Sequence, residues 1–500
     1  MTDPVGRSPE WVRDAVFYQI FPDRFAKSDR LDKPSNLEPW HTPPTVHGYK
    51  GGDLLGVAER LSYLEDLGVN ALYLNPIFQS GSNHRYHTHD YHRVDPLLGG
   101  NEALRVLLDA AHERGMRVIL DGVFNHASRG ILQFHDILEN GPSSPYLDWF
   151  HIHRFPLHAY GGGDIGYGAW WNLPALPKFD VRTPAVRAFL WDVAERWLAF
   201  GADGWRLDVP NEIDDDAFWR TFRHRSRAVK GDAYIVGEIW TDALRWLHGD
   251  MFDGVMNYPL TRAIYGFVGR HVEQGEVAKS GLHHIDTLDA GAWVRVVEDL
   301  LQRYPEDAVF SQLNLLDSHD TPRIATILHG DAAALRMAYL LMFALPGAPT
   351  IYYGDEIGLR GGHDPECRAT MPWDHESEWD LELLAWLRRL TKIRHGRPEL
   401  RRGATRLFAP KNDLVLVQRT LEPAAAGAYD GDADGSRAAS AAGRLVVAVN
   451  TAGAASTVPV ELLPAGRYRD LLTDQVVEQA ADAPVVPARG GVVLVPLVHD

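Results

Sequence analysis

RVILDGVFNH, residues Arg117–His126, runs through Val118, Ile119 and Leu120 without a polar break and then sets Asp121, Asn125 and His126 at its end. A strand buried on both faces reads this way, whereas a half-solvated one alternates. The same kind of run recurs on either side of it. Val16–Pro22, Val69–Phe78, Gly204–Val209, Ala233–Trp240, Phe252–Tyr258, Leu313–Asp320 and Pro349–Gly358 bring the total to eight. Most are followed by helical periodicity, so the pattern predicts a (β/α)8 TIM barrel of class α/β. An open doubly wound sheet is the competing arrangement.

The intervening helices carry start and stop signals. From Asp53, residues Leu54, Leu55, Val57, Leu61, Leu64 and Leu67 keep helical spacing, and Gly68 supplies a left-handed stop. Asn101 opens a helix that Gly115 closes, and Thr183-Pro184 opens one that Gly201 ends.

Two segments break the rhythm. Between His126 and Thr183 lies a stretch rich in Gly, His, Trp and Pro, including YGGGDIGYGAWWNLPALPKFD, which is far longer than an ordinary βα loop. After Arg402 the helical period disappears, and Leu414–Arg419, Leu445–Asn450 and Val492–Leu497 read as strands of a β-sandwich. The expected division is a barrel over residues 1–126 and 182–401, an inserted loop domain over 127–181, and a C-terminal β-sandwich over 402–500. The small-residue stretch Ala424–Gly443 reads as a mobile loop without a chemical role.

Composition narrows the function classes. With 45% apolar and 23% charged residues in 500, the chain is an ordinary globular protein with material for a large core. Its one cysteine, Cys367, excludes an internal disulfide and any four-cysteine zinc site, and it reads as a packed residue. The net charge of −17 argues against a nucleic-acid duplex or an anionic membrane as main partner. MTDPVGRSPEWVRDAV lacks the basic and apolar regions of a secretory signal. Pro346, Gly347 and Pro349 interrupt the longest apolar run, Met337–Tyr353. The expectation is a cytoplasmic enzyme.

In a barrel, chemistry sits where strands end. Those ends carry Asp121, Asn125 and His126, then Arg206 and Asp208, then Glu238, then His319 and Asp320. Arg206 and Asp208 are two apart on one strand and so face the same side. A guanidinium beside a carboxylate keeps it ionised, as a nucleophile requires. Any one of these acids alone is as readily a helix cap or an ion-pair partner. Gathering several on one rim is costly without a task. The chemistry that uses such a set is glycoside hydrolysis or transfer. One carboxylate attacks the anomeric carbon and another protonates the leaving oxygen; in retaining enzymes they are about 5–5.5 Å apart. A third negative group can stabilise the oxocarbenium-like state.

DGVFNH (Asp121–His126), GWRLDVPNE (Gly204–Glu212), VGEIW (Val236–Trp240) and LLDSHD (Leu315–Asp320) resemble the four signature regions of glycoside hydrolase family 13, the α-amylase family, in the family's order. FYQIFPDRF and YYGDEIG match as well, so the resemblance runs from about Pro9 to the end. It implies that Asp208 is the nucleophile, Glu238 the general acid/base and Asp320 the transition-state stabiliser. Arg206 then orients the nucleophile, and His126 and His319 bind hydroxyls of the attacked glucose. Tyr86, in NHRYHTHDYHRVDPLLG, resembles the tyrosine that stacks on that glucose. Asp364 and Arg368 of DPECR resemble the pair gripping the next glucose on the non-reducing side, with a surface ion pair as the alternative. Trp240 resembles an aromatic of the leaving-group side.

LPKFD (Leu176–Asp180) is similar to the MPKLN-type region of the neopullulanase, cyclomaltodextrinase and maltogenic amylase branch, in which Glu212 sits on the acceptor side. Two features depart from that branch. Pro210 stands where VANE-type members have alanine, and the chain opens about eight residues before the catalytic domain, without the branch's N-terminal β domain. No domain-swapped dimer is expected, and a monomer is. The calcium loop differs too: FAKSDRLDKPSN has Lys27 in place of an asparagine ligand. Asp29, Asp32, Asn36 and Asp53 are the residues left to form a calcium site, with Asp53 as a helix cap the alternative. No cofactor is otherwise expected.

The resemblance implies a retaining α-glucan hydrolase that cleaves α-1,4 bonds of maltodextrins and starch, with cyclodextrins and pullulan as further substrates and some transglycosylation. Two alternatives stand beside it. One is a glucosyl transferase or isomerase of the trehalose synthase kind; the other is a non-catalytic glucan-binding scaffold.

Overall fold

The structure, a computed structural model, describes residues 6–421, 443–479 and 483–497. The small-residue stretch from Ala424 to Ala442 lies outside them. The chain divides into two compact units. One comprises residues 1–10, 17–256 and 364–378; the other comprises 11–16, 257–363 and 379–500.

The first unit carries six parallel strands: β1 (Phe17–Ile20), β2 (Ala71–Leu74), β3 (Arg117–Gly122), β4 (Gly204–Leu207), β5 (Tyr234–Gly237) and β6 (Gly254–Val255). Each pairs with the next in sequence, and Asp121 of β3 stands opposite Arg206 of β4, which stands opposite Val236 of β5. All four residues of β2 are buried, as are five of the six in β3. Helix Gly100–Glu113 turns Leu104, Leu107, Leu108 and Ala111 inward at three- and four-residue spacing. Gly68 has the left-handed φ of 84° expected of a helix stop. The helix it follows is broken at Arg60 into Leu54–Glu59 and Leu61–Asp66.

The segment Asn75–Val94 is more ordered than a polar loop. Phe78–Ser80 and Thr88–Val94 pair antiparallel with shifts of register. The long insertion is held by its own aromatic core, with Phe134 against Phe150 and Tyr167, and Phe150 stacked on Phe179. Its return limb pairs with the segment that follows β3 through the bridge between His126 and Lys178. Thr183 precedes helix Pro184–Phe200 as read, but its hydroxyl donates to the Asp148 carbonyl and not to the helix.

The second unit contributes β7 (Leu313–Asn314) and β8 (Ala348–Tyr352), paired parallel with Leu313 opposite Ala348. The described residues thus include the eight parallel strands of a (β/α)8 barrel. The expected seventh strand, Leu313–Asp320, ends early because side-chain hydroxyls take its carbonyls. Thr261 Oγ1 donates to Leu315 O at 2.7 Å and the Tyr265 hydroxyl donates to Leu316 O.

Beyond residue 403 the same unit forms a six-stranded antiparallel sheet. Its order is Ala404–Lys411, Leu414–Leu421, Gly443–Asn450, Gly490–Pro496, Gly466–Asp470 and Val476–Gln479. A short ladder, Ser456–Thr457 with Val485–Val486, accompanies it. Leu414, Leu416, Val446, Ala448 and Leu494 of the sheet pack with Val458, Leu463 and Val486 into one apolar cluster, which is why this part folds as a layered β domain.

Candidate active site

Strand parity builds the centre of the site. Asp121, Arg206 and Glu238 follow one face across β3, β4 and the end of β5, and Asp208 continues that face two residues beyond Arg206. The Arg206 guanidinium, fully buried, joins all three acids. Its Nη1 donates to Asp121 Oδ1 at 2.9 Å and to Asp208 Oδ1 at 3.1 Å, and its Nη2 lies 3.0 Å from Glu238 Oε2. With Asp121 and then Glu238 acting on it, the guanidinium is held charged well above its ordinary range despite burial.

Glu238 is fixed further by two donors. The Val209 N–H reaches Oε2 at 3.1 Å and Trp240 Nε1 reaches Oε1 at 3.1 Å. Val209 itself sits at φ 35°, ψ 52°, a left-handed conformation that a β-branched residue rarely adopts. Strain of this kind persists where surrounding bonds over-determine it, here beside Asp208.

Asp121 accepts from the Tyr73 and Tyr86 hydroxyls at 2.7 and 2.8 Å on its second oxygen. Burial raises its carboxyl above the usual range, and Arg206 and the two phenols pull against that rise. Asn75 donates to the Tyr86 oxygen at 3.1 Å and takes a bond from Gln19, also at 3.1 Å. Tyr86 is thus anchored by its hydroxyl.

His126 is buried, and burial depresses its imidazole to about 3. Asn125 Nδ2 donates to Nδ1 at 3.1 Å, so the proton belongs on Nε2, and Nε2 has no partner among the described residues. Trp170 stacks on the His126 ring at 5.2 Å, and Trp171 stacks on Trp170 at 4.6 Å. Trp171 is 78% exposed, with φ 48°. Lys178 Nζ lies 2.9 Å from Glu212 Oε2, tying the insertion to the segment after β4.

Asp364 and Arg368 pair at 3.0 Å, with Arg368 buried and its guanidinium over the Phe21 ring at 5.4 Å. His319 and Asp320 belong to the second unit, in the segment after β7, where His319 Nε2 lies 3.0 Å from Asp320 Oδ2.

The four calcium candidates are not gathered as ligands. Asp53 is a helix cap: Oδ1 accepts from Gly56 N–H at 2.8 Å, and Oδ2 accepts from Ser28 N–H at 2.9 Å and lies 2.8 Å from Lys33 Nζ. An ammonium group thus occupies the carboxylate that a cation would need, while Asp29, Asp32 and Asn36 are exposed. Among the described residues no three acidic, His or Cys side chains stand together as a metal site. Lys27, which replaces the asparagine, faces the Trp40 ring at 5.6 Å.

Motif reading passed over Tyr73, Val209 and Lys178. Tyr73 was open to discovery, since it stands on β2 two residues before Asn75 and so on the same side of the chain. No sequence signal announces the positive φ of Val209.

Comparison with known proteins adds kinship to this geometry. The family description "Alpha amylase, catalytic domain" matches residues 19–388. A cyclomaltodextrinase of Geobacillus thermopakistaniensis (strain MAS1) is 42% identical over 410 residues, which is 82% of this chain and 66% of that protein. The chain therefore spans about two thirds of that relative's length. The solved structure of Ttha1563 from Thermus thermophilus superposes with a TM-score of 0.89 at 46% identity, covering 97% of this chain and all of that one. The debranching enzyme of Nostoc punctiforme, soaked with acarbose, gives 0.84 at 42% identity, covering 98% and 99% of the two chains.

Proposed function

This chain belongs to the α-amylase family, and we propose that it is a retaining α-glucan hydrolase cleaving α-1,4 bonds of maltodextrins, cyclic ones included. The observation that carries the proposal is the single buried guanidinium holding Asp208 and Glu238 at its two terminal nitrogens. Two carboxylates on one guanidinium are near enough to act together on a single glycosidic bond, as a nucleophile and an acid/base partner must.

In the proposed reaction Asp208 attacks the anomeric carbon while Glu238 protonates the departing glycosidic oxygen, leaving a covalent glycosyl-enzyme. Glu238 then takes a proton from the water that attacks this intermediate, and Asp208 leaves. Arg206 keeps the nucleophile ionised and aimed. Asp320, paired with His319, is the proposed stabiliser of positive charge on the ring. The buried Nε2–H of His126 is a donor suited to a sugar hydroxyl, and Tyr86 offers its ring to the pyranose face. Asp364 and Arg368 are the proposed grip on the next glucose. Glu212, tied to Lys178, and Trp240 take the acceptor side. The names of the cyclomaltodextrinase and debranching relatives support a substrate range that extends to cyclic and branched glucans. A cytoplasmic location is part of the proposal, and a single buried cysteine suits it.

A proton NMR time course with maltoheptaose tests the reading. Early α-anomers of shorter maltodextrins are the expected result, and rearranged linkages without new reducing ends would replace hydrolysis by transfer or isomerisation. Asp208→Asn is expected to lower turnover by about 10⁴-fold or more with folding intact. Near-normal turnover of that variant would remove Asp208 from its role.

A further inference from the structure

Among the buried acids that the proposed reaction does not use, two lie together. Asp317, three residues before Asp320, and Asp355, just after β8, are each 2% exposed, and their side chains are hydrogen-bonded to one another. Two carboxyl groups form such a bond only when one of them carries a proton. Their cationic neighbour is Arg323, whose Nη1 donates to Asp355 Oδ1 at 2.9 Å and to the Tyr353 carbonyl at 2.8 Å. Two buried acids facing a single guanidinium leave one negative charge in excess if both ionise, and burial makes that excess costly.

The pair also sits at a structural knot. Asp317 Oδ2 accepts the Ile324 N–H at 2.6 Å, which ties the two ends of the segment Asp317–Ile324 together. Asp355 then bonds both ends at once, through Asp317 and through Arg323. Inside the closed segment Ser318 N–H donates to Thr321 Oγ1 at 2.9 Å, Asp320 N–H donates to Ser318 Oγ at 3.2 Å, and His319 meets Asp320. The clasp thus closes the loop that presents Asp320.

We propose that Asp317 and Asp355 share one proton that fastens the Asp320 loop, making Asp317 a positioning residue for the stabilising carboxylate; this rests on the hydrolase reading above. Other titratable groups of the unit face the pair. Tyr265, from helix Tyr258–Val268, and Tyr339, from helix Ala332–Ala344, do so directly, while Tyr352 and Tyr353 at β8 face Arg323 and Glu356 from the turn beyond faces Tyr339. Tyr339 donates to Asp355 Oδ2 at 3.3 Å. Burial holds the Tyr265 and Tyr339 phenols well above their ordinary range, so the proton lost on raising the pH comes from the acids. Its loss sets two anions against each other and opens the clasp.

Asp317→Asn separates the proton from the shape. The amide oxygen still accepts from Ile324 N–H and the amide nitrogen donates to an ionised Asp355, so no shared proton is left to lose. α-Maltosyl fluoride is the substrate of choice, because fluoride departs without a proton from Glu238 and the general acid leaves no alkaline limb of its own. The wild-type kcat on this substrate is expected to fall at alkaline pH. In Asp317→Asn the fall moves up by about one pH unit or more, with kcat at pH 7 within about threefold of wild type. Infrared spectroscopy at pH 7 reads the proton directly: one buried carboxylic acid carbonyl band more in the wild type than in Asp317→Asn, the band of the Glu238 acid being common to both. An unchanged alkaline limb in the variant, or no such additional band in the wild type, overturns the clasp. A wild-type protein that shows the additional band yet cleaves neither maltoheptaose nor maltosyl fluoride overturns the hydrolase reading and not the shared proton.

Discussion

Nη2 of Arg206 lies 3.0 Å from Oε2 of Glu238, while Nη1 of the same guanidinium serves Asp208 and Asp121. A planar fork with two donor ends can address several carboxylates at fixed angles, and an ammonium group cannot. Arg206→Lys is therefore expected to lower kcat by about 10²–10³-fold, the cost of misplacing a preorganised charge. KM changes far less. Steady-state kinetics beside circular dichroism check this, and a kcat within a few-fold of wild type would count against Arg206 as the organiser.

Val209 bears strain next to Asp208 while its N–H holds Glu238. A non-glycine residue in a disfavoured region costs about 1–3 kcal/mol, and glycine returns about 0.5–1 of that through the unfolded chain. Val209→Gly should thus raise unfolding stability by about 1 kcal/mol. It should also lower kcat several-fold, because the donor to Glu238 is less firmly aimed. Urea melts and kinetics on the same preparation test both halves together, and a destabilised variant would show that the strain is illusory.

The ladder of His126, Trp170 and Trp171 leads from a buried ring to an exposed one. An exposed indole that stacks on Trp170 by one face leaves the other open, and that flat face suits a pyranose. Trp171→Ala should raise KM for maltoheptaose by about 2–10-fold, from a stacking energy of about 0.5–1.5 kcal/mol. Maltotriose, with fewer glucose units to spread over the ladder, should be affected less. Equal effects on both substrates would remove Trp171 from chain binding.

Burial depresses several histidines, among them His126 to about 3, His87 to about 4, and His84 well below its ordinary value. Unfolded, each protonates near pH 6.5, so below that pH the unfolded state binds more protons than the folded one. Their contribution is complete above about pH 6.5 and is lost as the pH falls toward their folded values, by up to about 1.4 kcal/mol per pH unit for each. Melting temperatures should fall between pH 7 and pH 4.5, and His87→Gln should flatten that fall. NMR should show the His126 imidazole neutral throughout pH 5–8. A His126 resonance that titrates near 6.5 would contradict its burial.

Much of the fold was legible because strand burial and helical period leave marks in composition. The unbroken runs at Ala71–Leu74 and Arg117–Gly122 became barrel strands, and Leu414, Leu445 and Val492 fell on strands of the terminal sheet. The seventh run misled because LNLL is equally apolar inside and beyond the ladder, and only the hydroxyls of Thr261 and Tyr265 ended it. The calcium reading turned on Lys27, whereas the ammonium that reached Asp53 was that of Lys33. Which of two nearby lysines bends back to a carboxylate depends on the path of the loop, and composition does not encode that path.

Residue type and spacing were enough to mark Asp121, Arg206, Asp208 and Glu238 as neighbours, since parallel strands put like positions side by side. Three features had to come from the folded chain: the bond from Val209 to Glu238, the pair formed by Lys178 and Glu212, and the bond between Asp317 and Asp355. Each joins segments that lie far apart in sequence or depends on a single backbone angle. Such contacts are settled by how the loops pack, and no local period of the sequence records them.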